Sequence, residues 1–238
     1  MGVARRINKA GLLSRSKAEA LVRSGKVMVN DRFVLDPEYP TNPEDLIHCE
    51  GKLLQKESLV YVILNKPRGL VTSAEDEKGR PTVYQCLNSM DLPHVGPVGR
   101  LDKASEGLLL FTNDTVWANA LLDPLFQLEK TYHVQIHGHL QENQRTQMMT
   151  GIDFDGVIHL ARAVRDLRSG ETNSWLEIVL CEGKNREIRK MLDFLGFEVL
   201  RLIRVAFGTL TLGDLPKGGV RRLSEEDVRA LDPRLKPG

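Results

Sequence analysis

KTYHVQIHG, residues 130–138, alternates along its length, with Tyr132, Val134 and Ile136 on one side and polar residues on the other. A period of two is how a strand reads when one face of its sheet is buried. Working outward, WLEIVLCEG (175–183) is a second strand and FEVLRLIRVAFGTLTLG (197–213) supplies the last ones. LVYVILNKP (59–67) is an apolar strand ending at Asn65-Lys66-Pro67, and RGLVTS (68–73) follows as another short strand. Helices lie between them. VWANALLDP (116–124) is capped near Asn113 or Asp114 and stops before Pro124. In KNREIRKMLDFLG (184–196), Ile188, Met191, Leu192 and Leu195 fall at helical spacing and Gly196 ends the run. Strands and helices mix here without strict strand–helix–strand alternation. The pattern predicts an α+β fold with a larger, mixed, mainly antiparallel-sheet domain. No internal repeat or low-complexity segment interrupts it.

The N-terminal part has a different character. Residues 1–34 carry Arg5, Arg6, Lys9, Arg15, Lys17, Arg23, Lys26 and Arg32 against only Glu19 and Asp31. The passage through Glu57 is acidic and holds Pro37, Pro40 and Pro43, so a basic module and its tether are expected over 1–57, with the larger domain over 58–238. SRSKAEALVRSG (14–25) predicts a helix with a Ser16–Glu19 capping box and a stop at Gly25. VMVNDRFV (27–34) predicts a hairpin around Asn30-Asp31. A short basic helix followed by a hairpin offers several cations on a small surface, which suits phosphate contacts. A merely solvated helix face is the alternative. AGLLSRSKAEALVRSGKVMVN (10–30) resembles the S4 RNA-binding domain, and the resemblance implies a first helix that is expected to be short here.

Composition excludes several classes. At 238 residues, 41% hydrophobic and 27% charged, the chain has the balance of a globular protein able to bury a core. Its longest apolar runs, such as GLLLF (107–111), are far too short to span a bilayer, and the N-terminus lacks the apolar core of an export signal. Cys49, Cys86 and Cys181 are odd in number and far apart, as expected for reduced thiols in a cytoplasmic protein. His48-Cys49 lacks a second ligand pair at metal spacing. His133, His137 and His139 fit a solvated strand edge better than a metal site, and Asp153, Asp155 and Asp166 receive no role.

GRLDKASEGLLLFTND (99–114) poses the chemical question, because a glycine turn delivers Arg100, Leu101 and Asp102 just before an apolar run. A carboxylate beside the core is costly unless it is paired or used, and an Asx turn is the plain explanation for a lone Gly-x-x-Asp. Taken in order, LNKPRGLVTS (64–73), this stretch, KTYHV (130–134) and CEGKNREIRKML (181–192) resemble the motifs of pseudouridine synthases. With the S4-like head they resemble the branch typified by the bacterial ribosomal-RNA enzymes RsuA and RluB, over roughly residues 5–225. Ser105 stands where Thr is commoner and keeps the hydroxyl.

The resemblance implies an enzyme that cleaves a uridine's N-glycosidic bond, turns the base and rejoins it through C5, with no metal and no cofactor. It implies Asp102 as the ionised carboxylate, Arg189 as its guanidinium partner and Tyr132 as the aromatic that packs against the base. Without it, Arg189 would read as a helix cation paired with Asp193, and Tyr132 as a core aromatic. Arg100 would help open the RNA, since extruding a base forfeits stacking that the protein must replace. Lys66 and Arg68 would touch the backbone, and Arg5, Arg6, Arg15, Lys17, Arg23 and Lys26 would do so on the basic module. Ribosomal RNA or a ribosomal subunit precursor is the implied partner, with the large subunit favoured and the small close behind. A monomer with no membrane association is expected. Whether Asp102 attacks C1′ to give an acylal, adds at C6 or promotes a glycal route stays open. Two other readings compete: an inactive RNA-binding assembly factor, and a glycosidase. The latter needs two positioned carboxylates, and Glu106 has nothing to position it as an acid.

Overall fold

The computed structural model describes residues 1–55, 58–74, 76–154 and 156–235; Asp155, and Glu57 at the expected domain boundary, lie outside these. Two compact units are formed. One gathers Met1–Tyr61 with Met90–Gly96 and Phe111–Val116, and the other holds Val62–Ser89, Pro97–Leu110 and the remainder from Trp117.

In the first unit, helix α1 (Val3–Lys9) is only seven residues long, and α2 covers Arg15–Arg23. A small antiparallel sheet follows, made of β1 (Val27–Val29), β2 (Arg32–Val34), β3 (Ile47–Cys49) and β4 (Lys52–Leu53) in the order β2-β1-β3-β4. Asn30 and Asp31 both take positive φ, the tight two-residue hairpin that their type favours. Val3, Ile7, Ala18, Val22, Val27 and Ile47 share one buried cluster, so the helices and the sheet close a small core of their own. The α2 cap is Ser14, whose hydroxyl accepts from the Lys17 N–H, and not the expected Ser16. Glu19 instead pairs with Arg15 and Arg23 one turn away on either side.

The second unit is built on one large sheet. Its strands are β5 (Tyr61–Lys66), β6 (Gly96–Val98), β7 (Glu106–Thr112), β8 (Lys130–His137), with α3 (Thr115–Leu122) before the last. Then come α4 (Glu142–Thr150), a β9–β10 hairpin (Ile152–Phe154, Val157–His159), β11 (Ala163–Ser169) and β12 (Asn173–Leu180). Helix α5 (Glu187–Phe194), β13 (Val199–Phe207), β14 (Leu210–Thr211), β15 (Val220–Arg222) and α6 (Glu225–Leu231) complete it. The main path runs β11-β12-β8-β13-β7-β5-β15, with β14 beside β13 and β6 beside β7. The expected α+β class and mainly antiparallel sheet are what the chain adopts; the β7–β13 pair is parallel. The expected strand at 68–73 is absent: only Val71 makes a bridge, to Thr82, because Gly69 turns at φ +99° and its N–H bonds Lys103 O.

Two features of β7 matter for the site. Every residue of the strand is buried, so the turn before it is anchored in the core. Gly107 sits at φ +101°, and a Cβ there would lie 2.2 Å from Arg204 O, so only glycine lets β7 approach β13 this closely. Glu106, at the start of the strand, is 3% exposed and is paired with Arg201 at 3.1 Å and Lys217 at 2.7 Å. Burial pushes its pKa up, but the two cations outweigh that and hold it below the ordinary 4.5. A depressed folded-state pKa gives stability that is present above 4.5 and lost as the pH falls through the lower folded value. Urea unfolding followed into acid should show that loss, and Glu106→Gln should flatten it.

Candidate active site

The Asp102 turn is fixed by its own backbone. Five consecutive carbonyls are met in turn. Leu101 O accepts from Thr72 Oγ1 at 2.7 Å, and Asp102 O from Lys66 Nζ at 3.0 Å and the Ser105 N–H at 3.0 Å. Lys103 O accepts from the Gly69 N–H at 2.7 Å, Ala104 O from Arg189 Nη2 at 3.4 Å, and Ser105 O from Lys66 Nζ at 2.7 Å. A turn with all its acceptors taken has little freedom to move, and its half-buried Asp102 side chain is held at a fixed place without using the carboxylate itself.

Asp102 lines a cavity of 580 Å³, within the usual range for small-molecule sites. Arg100, Tyr132 and Arg189 line it too, so three stretches far apart in sequence are brought together. Tyr132 reaches it from the buried face of β8, and Arg189 from the first turn of α5. Arg189 Nη1 also donates to Val199 O at 3.3 Å, which ties the guanidinium to β13, and no hydrogen bond to Asp193 replaces this. Burial lowers its pKa and Arg186 adds repulsion; attraction to Asp102 offsets part of this, and Arg68 repels further. The guanidinium stays charged in any accessible pH range, so Asp102 has a permanent cation nearby. Lys130, Lys184, Arg186 and Arg204 also line the cavity, which is therefore cationic. Its two other carboxylates are engaged: Glu182 pairs with Lys184 at 2.5 Å, and buried Glu187 holds His159 at 3.3 Å and the Lys184 N–H at 3.2 Å. Among the described residues Asp102 is left as the cavity's unpaired carboxylate, and Glu106, tied to Arg201 and Lys217, does not line the cavity.

Lys66 corrects an expectation. It is fully buried, and its ammonium donates to Pro67 O, Asp102 O and Ser105 O, so it cannot reach an RNA phosphate. Burial pushes its pKa down to about 8 against attraction from Asp102, Glu106 and Cys86. Arg6 is corrected likewise: its guanidinium donates to Asn42, Pro43 and Asp45 carbonyls and closes the 42–45 loop. Arg68, Arg5 and Lys17 are exposed. Arg15, Arg23 and Lys26 keep most of their side chains in solvent while pairing with Glu19, Glu38 or Glu50. His133 lies 3.9 Å from Glu177, and among the described residues no group of His, Cys, Asp and Glu is gathered as a metal site. Arg204, Lys130 and Phe207 on the cavity wall were not singled out from sequence. A cation on the buried side of an alternating strand was the available signal for Arg204.

Among the described residues, the cavity presents one carboxylate without a hydrogen-bonded or ion-paired partner, Asp102, among several cations, an arrangement suited to an enzyme acting on an anionic substrate. The RNA pseudouridylate synthase family model matches residues 60–194, and the S4 domain model matches 3–47. An uncharacterized RNA pseudouridine synthase of Rickettsia prowazekii (strain Madrid E) is 36% identical over 229 residues, 94% of either chain. Ribosomal large subunit pseudouridine synthase B of Bacillus subtilis (strain 168) is 34% identical over 227 residues, 94% of this chain and 93% of that one. The crystal structure of a pseudouridylate synthase superposes with a TM-score of 0.67 at 29% identity, covering 97% of this chain and 99% of the other. This chain belongs to the RNA pseudouridylate synthase family, in the RsuA/RluB-type branch that carries an S4 domain. It is an isomerase of uridine in RNA, and RNA is its binding partner. Among the described residues no helix is long and apolar enough to cross a membrane.

Proposed function

We propose that this chain converts a specific uridine of ribosomal RNA, with the large subunit favoured over the small, to pseudouridine at Asp102. The observation that carries this reading is the free Asp102 carboxylate on a cationic cavity wall, at the end of a turn whose carbonyls are all bonded. The name of the Bacillus subtilis relative supports the large subunit. Residues 1–57 form the RNA-binding domain and linker, and 58–238 the catalytic domain. Arg5, Arg15, Lys17, Arg23 and Lys26 contact phosphates. The protein works as a monomer in the cytoplasm.

In this reading the target base leaves its stack, packs against Tyr132 and meets Asp102, while Arg100 at the exposed rim holds the opened backbone. The C1′–N1 bond breaks with its electron pair on the base. The base turns, C5 bonds to C1′, the C5 proton departs and N1 takes one up, so nothing is gained or lost overall. Asp102 supplies the negative charge near C1′ and C6 that each route needs, and Arg189 places a cation in the same cavity. Arg189→Met should lower the single-turnover rate about 10²-fold while RNA affinity stays near wild type. Incubating the purified protein with unmodified large- and small-subunit RNA transcripts, then mapping pseudouridine, tests the proposal. One new site in the large-subunit RNA is expected; no site in either transcript would refute the ribosomal assignment.

A further inference from the structure

Arg204 is 4% exposed, and its Nε donates to Leu108 O at 2.7 Å. Its Nη2 is buried and has no hydrogen-bond partner among the described residues, yet the residue lines the cavity. A buried guanidinium N–H left unpaired is unfavourable unless something arrives to accept it. The surroundings say what that something is. In register, Arg204 is the direct neighbour of Tyr132 across the β13–β8 pair, and both are on the buried side of their strands. Arg204 and Lys130 each lie 5.3 Å from the Phe207 ring centroid, so the floor beside Tyr132 is an aromatic ring with two cations on it. The rim cations Arg100 and Arg186 are exposed, where phosphates stay in solvent. The floor is where a flat, neutral base with carbonyl oxygens comes to rest.

We propose that Arg204 donates a hydrogen bond to a uracil carbonyl oxygen and stabilises the negative charge the base acquires when its glycosidic bond breaks. This rests on the reading that the cavity receives the flipped uridine. The pair of electrons leaving C1′–N1 spreads over N1, O2 and O4, and addition at C6 likewise places charge on O4, so all three routes load a carbonyl oxygen. A half-turn of the ring about its N3–C6 axis exchanges N1 with C5 and O2 with O4. A fixed donor therefore meets an equivalent oxygen before and after the turn. Preorganised donors of this kind act where charge develops in a site that excludes water.

The test uses the RNA segment that the wild-type protein is found by mapping to modify, whether ribosomal or not. A wrong ribosomal assignment then appears as a site elsewhere and leaves this test intact. Single-turnover rates are measured with uridine, 2-thiouridine or 4-thiouridine at the target, because sulfur is a poor acceptor. Arg204→Met should slow the uridine reaction on the order of 10²-fold with RNA affinity nearly unchanged. Wild type should be slowed by sulfur at one of the two positions, and that penalty should vanish in Arg204→Met. A penalty of equal size in both proteins, a loss confined to RNA affinity, or an unchanged rate would overturn the proposal. If the Met variant does not fold, Arg204→Lys takes its place; if neither folds, absence of any thio penalty in wild type overturns it.

Discussion

Asp102→Asn is expected to lower single-turnover pseudouridine formation by about 10⁴-fold or more, with RNA affinity retained. The substitution keeps size and shape and removes only the negative charge. Stability should change little, because the turn is held through its carbonyl oxygens by Thr72, Lys66, Gly69 and Arg189, and not through the carboxylate. What the variant loses is the anion near the reacting carbons. Gel-shift titration beside quenched single-turnover kinetics separates the two effects. A parallel fall in affinity and rate would mean that Asp102 organises the cavity and does not act in it.

Lys66→Met is expected to destabilise the protein by about 3 kcal/mol, the cost of taking a buried donor away from the Ser105 and Asp102 carbonyls, seen as a Tm lower by roughly 6–12 °C. The Met side chain fills similar space, so the loss reports hydrogen bonds and not a cavity. Ser105 O would lose the Lys66 Nζ donor and Asp102 O would keep only the Ser105 N–H, which loosens the turn. Activity should fall even below the melting range, because the carboxylate is no longer held in one place. Differential scanning calorimetry and rates measured well below Tm check both parts. An unchanged Tm with weaker RNA binding would restore Lys66 to the surface role first expected of it.

The contrast between Lys66 and Asp102 explains how far the sequence could be read. Strand alternation at 130–138 and helical spacing at 184–196 are local patterns; the strand forms over Lys130–His137, and the helix over Glu187–Phe194, shorter at both ends. Asn30-Asp31 carries its turn chemistry in two residues. Asp102, Tyr132, Arg189 and Arg100 all line one cavity. Lys66 looked like a loop cation because the acceptors that bury it lie 36 to 39 residues away in a turn. Arg6 was misread for the same reason, its acceptors being the 42–45 loop. At α2, Ser14 and Ser16 are both competent caps, and the helix begins one residue after the first. At 68–73 the apolar residues suggested a strand, but Gly69 takes the chain to the Asp102 turn instead. Arg204 required pairing β13 with β8, a long-range fact, although its place on the buried side of an alternating strand was legible.

Isomerisation of a ribosomal RNA uridine by Asp102 can be read in cells by site-resolved pseudouridine mapping. Ribosomal RNA would be compared between a strain lacking this gene and the same strain carrying either the wild-type protein or Asp102→Asn. One uridine should lose its modification in the deletion strain and regain it with wild type alone. Restoration by Asp102→Asn, or identical maps in all three strains, would contradict it.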